Sequence, residues 1–151
     1  MDIETAYDHI YRFVYYRVHD HSITEDITQE TFLRFIQKYG YKTHWNMKIL
    51  YTIARNLCID TYRYQRREDP FQEGDGVQPS HENKVMEQIQ FEHALDKLTQ
   101  KEREILLLRY VNEEPIGTLS QLYGCSRFVI YRIIQKAFKK IKEDMEEGYD
   151  E

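Results

Sequence analysis

Residues 115–141 read PIGTLSQLYGCSRFVIYRIIQKAFKKI, and this stretch carries the strongest structural signal in the chain. Pro115 suits the first turn of a helix, because its missing amide would have no intrahelical partner there. Gly124 is able to take the left-handed conformation that ends this helix, and Ser126 is placed to cap the next one. The pattern therefore predicts a helix-turn-helix. The inward-facing residues are Ile116, Leu119 and Leu122 in the first helix and Ile130, Ile133, Ile134, Ala137 and Ile141 in the second.

A helix-turn-helix of the DNA-binding type inserts the N-terminal half of its second helix into the major groove. Arginine pairs with a guanine edge or with phosphate, glutamine pairs with adenine, and an aromatic ring contacts the methyl group of thymine. Helical hairpins with basic faces also occur in protein-binding domains, so the pattern alone leaves both kinds of partner open. The candidate DNA contacts are Arg127, Phe128, Tyr131, Arg132, Gln135 and Lys136, with Lys139 and Lys140 as further phosphate anchors.

The composition predicts an all-α protein. The chain has 151 residues with 6 Gly and 3 Pro, too few for the many turns of a sandwich or barrel, and its 41% apolar and 31% charged residues suit amphipathic helices. A Pro- and Gly-containing acidic stretch predicts a flexible linker between two small helical domains. The expected division is a domain over 1–67, a linker over 68–84, a helix-turn-helix domain over 85–143 and an acidic tail over 144–151.

Helix signals recur upstream of the helix-turn-helix. Thr99 and Glu102 have the spacing of a capping box, and residues 105–108 supply the apolar core of the helix that follows. Ser22 and Glu25 have the same spacing and predict the start of a second helix, which ends before Gly40. The apolar stripes of the N-terminal domain are Tyr7, Ile10, Tyr11, Val14 and Val18; then Ile27, Phe32, Leu33 and Ile36; then Ile49, Leu50, Ile53, Ala54, Leu57 and Cys58, in a helix that runs to about Arg66.

The outer face of the third helix mixes aromatic rings with cations, a combination that favours single-stranded nucleic acid because unpaired bases stack on rings. The loop over 39–46 before it is also rich in rings and amides and could hold a flipped base. Trp45 and Tyr41 could equally cover the edge of a small core, and the sequence leaves these alternatives open. The outer face comprises Tyr51, Thr52, Arg55, Asn56, Arg63, Tyr64, Arg66 and Arg67.

Charge alternates in blocks along the chain. The net charge is −5 over residues 1–32, +7 over 33–67, −6 over 68–104, +5 over 105–142 and −6 over 143–151. Basic blocks could face phosphate, while the acidic blocks weaken DNA binding by the free protein. The pattern therefore suits a protein that meets DNA with the help of another protein, although charge runs also form ordinary solvated helix faces.

Enzymatic and metal chemistry have little support in the sequence. Cys58 and Cys125 lie far apart and are expected to be reduced and packed. His19, Asp20 and His21 are possible ligands, but neighbouring side chains diverge, and HEXXH, P-loop and GxSxG patterns are absent. With no signal peptide or apolar span, we expect a cytoplasmic protein without metal or cofactor. A stand-alone helix-turn-helix regulator and a helical adaptor or metal-dependent enzyme using His19 and His21 remain as alternatives.

Three motifs follow one another along the chain: TEDITQETFL over 24–33, LYTIARNLCID over 50–60 and LTQKEREILLLRY over 98–110. Together they closely resemble a bacterial RNA polymerase sigma factor of the extracytoplasmic-function (ECF) type. The resemblance implies the fold of sigma regions 2 and 4, and a factor that directs core RNA polymerase to specific promoters without bond chemistry of its own. Two departures stand out: Ile49 occupies the position where tryptophan is usual, and Phe128, Val129 and Ile130 replace the usual Gly-Thr-Val.

The resemblance also implies three contact surfaces and several partners. Region 2 would dock on the clamp of the polymerase β′ subunit, then melt and hold the −10 element of the promoter. Region 4 would read the −35 element as duplex, the linker would thread the RNA channel of the polymerase, and an anti-sigma factor would inhibit the chain. The implied contacts are Asp26, Gln29, Glu30, Leu33 and Arg34 for core polymerase, made of β′ and β subunits; Trp45, Asn46, Tyr51, Arg55, Asn56, Arg63, Arg66 and Arg67 for the −10 element; and Arg127, Phe128, Tyr131, Arg132, Gln135 and Lys136 for the −35 element.

Overall fold

The computed structural model describes residues 1–40, 44–68 and 93–149, with side chains for all of these except 64–68 and 147–149. The regular structure in these ranges is entirely helical, which confirms the predicted all-α class. The chain divides into two compact units, Met1–Gln78 and Pro79–Glu151. The helices are α1 (Ile3–Val18), α2 (His21–Tyr39), α3 (Met47–Glu68), α4 (residues 93–96), α5 (Gln100–Leu106), α6 (Ile116–Tyr123) and α7 (Arg127–Tyr149).

In the first unit, α1, α2 and α3 all pack against one another around an apolar core. Asp2 caps α1 by accepting a hydrogen bond from the amide of Thr5 at 2.8 Å. Phe13 and Tyr51 meet edge to face with their ring centroids 5.2 Å apart, and both are fully buried. Such an aromatic pair adds directional attraction to the apolar area that the two rings bury.

The predicted capping box at Ser22 and Glu25 is wrong, because α2 begins earlier. His19 ends α1 in a left-handed conformation, with φ of 54°, and Asp20 follows in an extended conformation that suits a cap. The Asp20 carboxylate accepts from the amide of Ile23 at 2.9 Å. The tight reversal at His19 thus leaves Asp20 as the first residue able to cap, and Ser22 lies exposed within the helix.

The predicted inward face of α2 is wrong at Leu33, which is 49% exposed. Three threonines occupy the buried stripe instead, beside Ile27, Phe32 and Phe35. The burial of Thr28 and Thr31 is tolerated because a threonine hydroxyl can bond to the carbonyl one turn earlier: Thr28 bonds to Thr24 at 2.6 Å and Thr31 bonds to Ile27 at 2.7 Å. A prediction that considers only apolar residue types overlooks buried threonines and therefore misplaces the buried face of α2.

In the second unit, α5 begins with the predicted capping box. The Thr99 hydroxyl accepts from the amide of Glu102 at 3.1 Å, and the Glu102 carboxylate accepts from the amide of Thr99 at 3.0 Å. The helix then widens into a π-helical turn over Leu107–Val111, which the sequence did not predict. Ile105 and Leu108 are fully buried, as expected for the core of this segment.

The predicted helix-turn-helix is present as α6 and α7. Gly124 ends α6 with φ of 65°, and the Ser126 hydroxyl accepts from the amide of Val129 at 3.2 Å to cap α7. Pro115 occupies the cap position of α6, one residue before the first turn where it was expected. The predicted inward residues are buried except Ile133, which is half-buried.

The last helix of the second unit reaches into the residues of the predicted acidic tail. The helix α7 continues to Tyr149, so residues 144–149 extend the helix. Asp144 accepts from Lys97 at 2.9 Å and bonds to His93 at 3.2 Å, which joins this end of α7 to the segment around α4. The predicted linker lies outside the described residues, apart from Glu68 at the end of α3. In the described ranges no helix has the length and apolarity needed to cross a bilayer.

Candidate nucleic-acid and polymerase interfaces

The N-terminal half of α7 presents one exposed face, which we call the recognition surface. Its residues alternate with buried Ile130, Ile134 and Ala137, which anchor the helix to the second unit. Phe128 is 68% exposed and Tyr131 is 51% exposed, so both rings are accessible to a partner. The recognition surface consists of the six exposed residues predicted from the sequence: Arg127, Phe128, Tyr131, Arg132, Gln135 and Lys136.

Buried polar contacts with α5 hold α7 and α6 in place. Lys140 lies 2.7 Å from the carboxylate of buried Glu102, and Tyr123 donates a hydrogen bond to the carboxylate of Glu104. Burial raises the pKa of Glu102, but hydrogen bonds from Lys140 and Thr99 outweigh it, so the pKa lies below the usual 4.5. Lys140, which the sequence suggests as a phosphate anchor, thus also has a structural contact, which the sequence did not reveal because Glu102 lies 38 residues away.

The two arginines of the recognition surface have different surroundings. The Nη2 atom of Arg127 lies 3.0 Å from the position that a Cβ atom on Gly117 would occupy, so its guanidinium rests against the first turn of α6. The guanidinium carbon of Arg132 lies 5.8 Å from the ring centroid of Phe128. Sequence reasoning missed Gly117, although an isolated glycine inside a helix often marks a close approach.

On α3, the prediction that Tyr51 lies on the outer face is wrong, because Tyr51 is fully buried against Phe13. The sequence pairs 49/50, 53/54 and 57/58 repeat every four residues and drift around a helix of 3.6 residues per turn. The observed buried stripe follows the helical period instead. It consists of Met47, Leu50, Tyr51, Ala54, Leu57 and Cys58.

The residues before α3 have structural contacts. Trp45 is half-buried, and its ring lies 5.3 Å from Phe32 and 5.5 Å from Phe35 between centroids. Asn46 caps α3, because its side-chain oxygen accepts from the amide of Ile49 at 3.1 Å. These contacts support the alternative in which Trp45 covers the edge of the core. Tyr41 lies outside the described residues.

The remaining predicted residues of α3 share a face. Asn56 and Arg63 are exposed, and Arg55 is half-buried. Residues 55 and 56 lie three to four positions before residue 59 and seven to eight before residue 63, so the set follows one side of the helix. Arg66 and Arg67 belong to α3, but their side chains lie outside the described residues. The structure therefore brings together three of the eight predicted −10 contacts, buries Tyr51, and assigns packing or capping to Trp45 and Asn46.

On α2, the predicted polymerase contacts form a continuous stripe opposite the buried face, which we call the α2 outer stripe. Leu33, near its C-terminal end, is 49% exposed. The Nε atom of Arg34 lies 3.0 Å from the carboxylate of Glu30, one turn earlier. This surface combines an exposed apolar side chain with charges of both signs, as protein-binding surfaces commonly do. The α2 outer stripe consists of Asp26, Gln29, Glu30, Leu33 and Arg34.

The possible metal ligands His19 and His21 take part in aromatic packing. The Nδ1 atom of His21 lies 2.7 Å from the hydroxyl of Tyr11, and its ring stacks on Tyr15 at 4.5 Å. The ring of His19 lies 6.1 Å from that of Tyr15. In the part of the chain that the structure describes, no group of three or more His, Cys, Asp or Glu side chains is arranged to hold a metal ion.

Two protein-family models match the chain, one for each unit. Sigma-70 region 2 matches residues 3–68, and Sigma-70 region 4 matches residues 94–143. The first match covers α1, α2 and α3, and the second covers the segment from α4 to most of α7.

Curated relatives point the same way. The chain is 28% identical to the ECF RNA polymerase sigma factor BldN of Streptomyces coelicolor over 91% of its length, and it spans 58% of BldN. It is 31% identical to the ECF RNA polymerase sigma factor EcfG of Rhodopseudomonas palustris, and the match covers 78% of this chain and 68% of EcfG. The fold is similar to that of the sigma factor RpoE of Bartonella quintana, whose structure was solved with the anti-sigma factor NepR. The TM-score is 0.64 at 20% sequence identity, and the match covers 93% of this chain and 92% of the RpoE chain. With two sigma regions in order and relatives of one type, the chain belongs to the ECF family of RNA polymerase sigma factors.

Proposed function

We propose that this protein is a transcription initiation factor that binds core RNA polymerase and directs it to specific promoters. The observation that carries the proposal is the recognition surface, in which six side chains suited to bases and phosphates are exposed on a helix held by a buried core. In this proposal the recognition surface reads the −35 element as duplex. Family membership supports the same function.

Run-off transcription with purified core polymerase and a library of random promoters tests this function. We expect the chain to select a defined set of −35 and −10 sequences, because base edges in the major groove distinguish all four base pairs. The reaction without the chain is the control for background initiation. Promoter-independent transcripts, or specific DNA binding that needs no polymerase, would contradict the proposal and favour a stand-alone regulator.

We propose that the α2 outer stripe docks on the clamp of the β′ subunit. Its support is an exposed apolar residue, Leu33, among charged and polar neighbours on a helix that the region 2 model covers. Leu33→Asp is expected to weaken core binding about tenfold or more in a binding titration, because it removes an apolar contact and places an unpaired carboxylate in the interface. Ile3→Asp is a matched control, since Ile3 is also 49% exposed but lies on α1. Equal losses of affinity for core polymerase in both variants would show that α2 has no specific docking role.

We propose that α3 and the segment before it hold the melted −10 element. Arg55, Asn56 and Arg63 are the candidates that share an exposed or half-exposed face. Trp45, Asn46, Arg66 and Arg67 remain candidates by their positions, whereas Tyr51 is withdrawn because of its burial. Permanganate reactivity of unpaired thymines should fall in Asn56→Ala and Arg63→Ala holoenzymes while protection of the −35 element persists. A parallel loss of both signals would indicate a general defect in binding.

We propose further that the chain performs no bond chemistry, that core polymerase supplies the catalysis, and that both act in the cytoplasm. The absence of any RNA product without core polymerase is the expected result, and product from the chain alone would contradict it. We also propose that an anti-sigma factor binds the chain, as the family resemblance implies. Affinity purification of the tagged chain from its own cells should recover a stoichiometric inhibitor, and addition of that inhibitor should stop run-off transcription.

A further inference from the structure

Arg132 and Phe128 form a pair on the exposed side of α7. They lie one helical turn apart, and helical side chains lean toward the N-terminus, so the Arg132 guanidinium reaches back over the Phe128 ring. The guanidinium carbon is 5.8 Å from the ring centroid, within the range of a cation–π contact. The guanidinium of Arg127 instead rests against Gly117. The two arginines are therefore not equivalent as base readers.

Stacking leaves both members of the pair able to contact DNA. A guanidinium that packs through its face keeps N–H donors at its edge, where they can meet the O6 and N7 acceptors of guanine. Phe128 is 68% exposed, so much of its ring remains available for an apolar contact. The apolar group that the major groove offers is the thymine methyl. Tyr131 suits this methyl less well, because its hydroxyl would need a hydrogen-bond partner once water is excluded.

The distance between the two groups sets the spacing of their targets. The 5.8 Å separation is shorter than two base steps of about 3.4 Å each. A thymine contacted by Phe128 and a guanine contacted by Arg132 therefore belong to adjacent base pairs. Resting on the proposed −35 binding, we propose that Phe128 and Arg132 read a T·A pair next to a G·C pair as one unit.

The test uses the complete chain in holoenzyme with a promoter selected from the random library. Each −35 thymine is replaced in turn by deoxyuridine, which removes only the methyl group, and each guanine by 7-deazaguanine, which removes the N7 acceptor. We expect one thymine at which uracil weakens binding about fourfold, and an adjacent guanine at which the deaza base weakens it about tenfold.

Protein variants assign each contact to a side chain. Phe128→Ala should bind thymine and uracil promoters equally, and Arg132→Ala should lose its preference for guanine over the deaza base because no donor is left to meet N7. Phe128→Leu keeps an apolar contact without the ring, so it should still distinguish thymine from uracil while its preference for guanine falls. Circular dichroism and core binding identical to wild type would show that these variants remain folded.

Three results would overturn the proposal while leaving the promoter function intact. The selected −35 sequences could lack a T·A pair beside a G·C pair, the uracil effect could persist in Phe128→Ala, or it could disappear in Tyr131→Ala instead. Failure of the holoenzyme to select any promoter is a different outcome, because it would remove the proposed function and this inference together.

Discussion

Gly117 shows how one missing methyl group can position a side chain on another helix. Its φ is not in the left-handed region, so the backbone there would accept any residue. The space above it is occupied by the guanidinium of Arg127, with Nη2 at 3.0 Å from a Cβ position. An alanine at this site would move the arginine, because the tip of a flexible side chain yields more easily than the helix backbone.

We therefore expect Gly117→Ala to separate stability from DNA binding. Replacing glycine by alanine inside a helix should stabilise the second unit by about 0.5–1 kcal/mol. DNA binding by the holoenzyme should weaken by no more than it does in Arg127→Ala, because the guanidinium must shift by a few tenths of an ångström. Thermal unfolding and promoter titration measure the two effects. If Gly117→Ala weakens binding further in an Arg127→Ala background, the glycine acts by another route.

Helix ends in this protein are set by short side chains with specific partners. Asp20 caps α2, Thr99 and Glu102 cap α5, and Ser126 caps α7. Each cap satisfies an amide that lacks a partner within its own helix. Capping at Ser126 has a functional consequence, since it fixes the first turn of α7, which carries Arg127 and Phe128.

Asp20→Ala and Ser22→Ala form a matched pair that tests where α2 begins. Asp20→Ala should cost about 1 kcal/mol of folding free energy, because the amide of Ile23 loses its acceptor. Ser22→Ala should be neutral or slightly stabilising, since Ser22 is exposed inside the helix. Chemical denaturation of each variant measures the difference. The reverse order would restore the capping box that the sequence predicts.

Glu102 should make the second unit sensitive to acid. Its pKa is lower in the folded protein than the usual 4.5, so the folded state is favoured when this carboxylate is ionised. Its stabilising effect is complete above about pH 4.5 and is lost as the pH falls through the lowered pKa. Glu102→Gln should therefore lower the thermal midpoint at pH 7 and reduce the loss of stability between neutral and acidic pH. If stability falls with decreasing pH as steeply in Glu102→Gln as in the wild type, other carboxylates cause the acid sensitivity. Asp144→Asn is the comparison, because hydrogen bonds from Lys97 and His93 also lower the pKa of Asp144.

The two units have separate apolar cores. Phe13, Phe35 and Tyr51 belong to the first core, while Ile105, Leu119 and Ile130 belong to the second. The first unit carries the α2 outer stripe, and the second unit carries the recognition surface. Each surface is then supported by its own set of buried contacts.

Tyr51→Ala should affect the first unit alone. Removing a buried aromatic side chain typically costs about 3–5 kcal/mol, and Tyr51 is fully buried against Phe13. Hydrogen exchange followed by mass spectrometry should show lost protection in α1, α2 and α3, with unchanged protection in α5 and α7. Asn56→Ala is the control, because Asn56 is exposed on the same helix. Lost protection in α7 would show that the two units unfold together.

The ends of several helices could be predicted from the sequence, because each cap involves residues that are close together in the chain. The capping box at Thr99, the left-handed Gly124 and the cap at Ser126 depend on partners two to four positions away, and all three are present. The same holds for the buried positions Ile130, Ile134 and Ala137, whose helical spacing predicts a common face. The three quoted motifs likewise identified the family.

Contacts between distant residues required the folded chain. Tyr51 is buried because Phe13 lies opposite it, and Lys140 is engaged because Glu102 lies beneath it. Arg127 rests against α6 because that helix brings Gly117 to its guanidinium. Periodicity within one helix says which residues share a face, but not which neighbour covers that face, since this depends on packing between helices that are far apart along the chain.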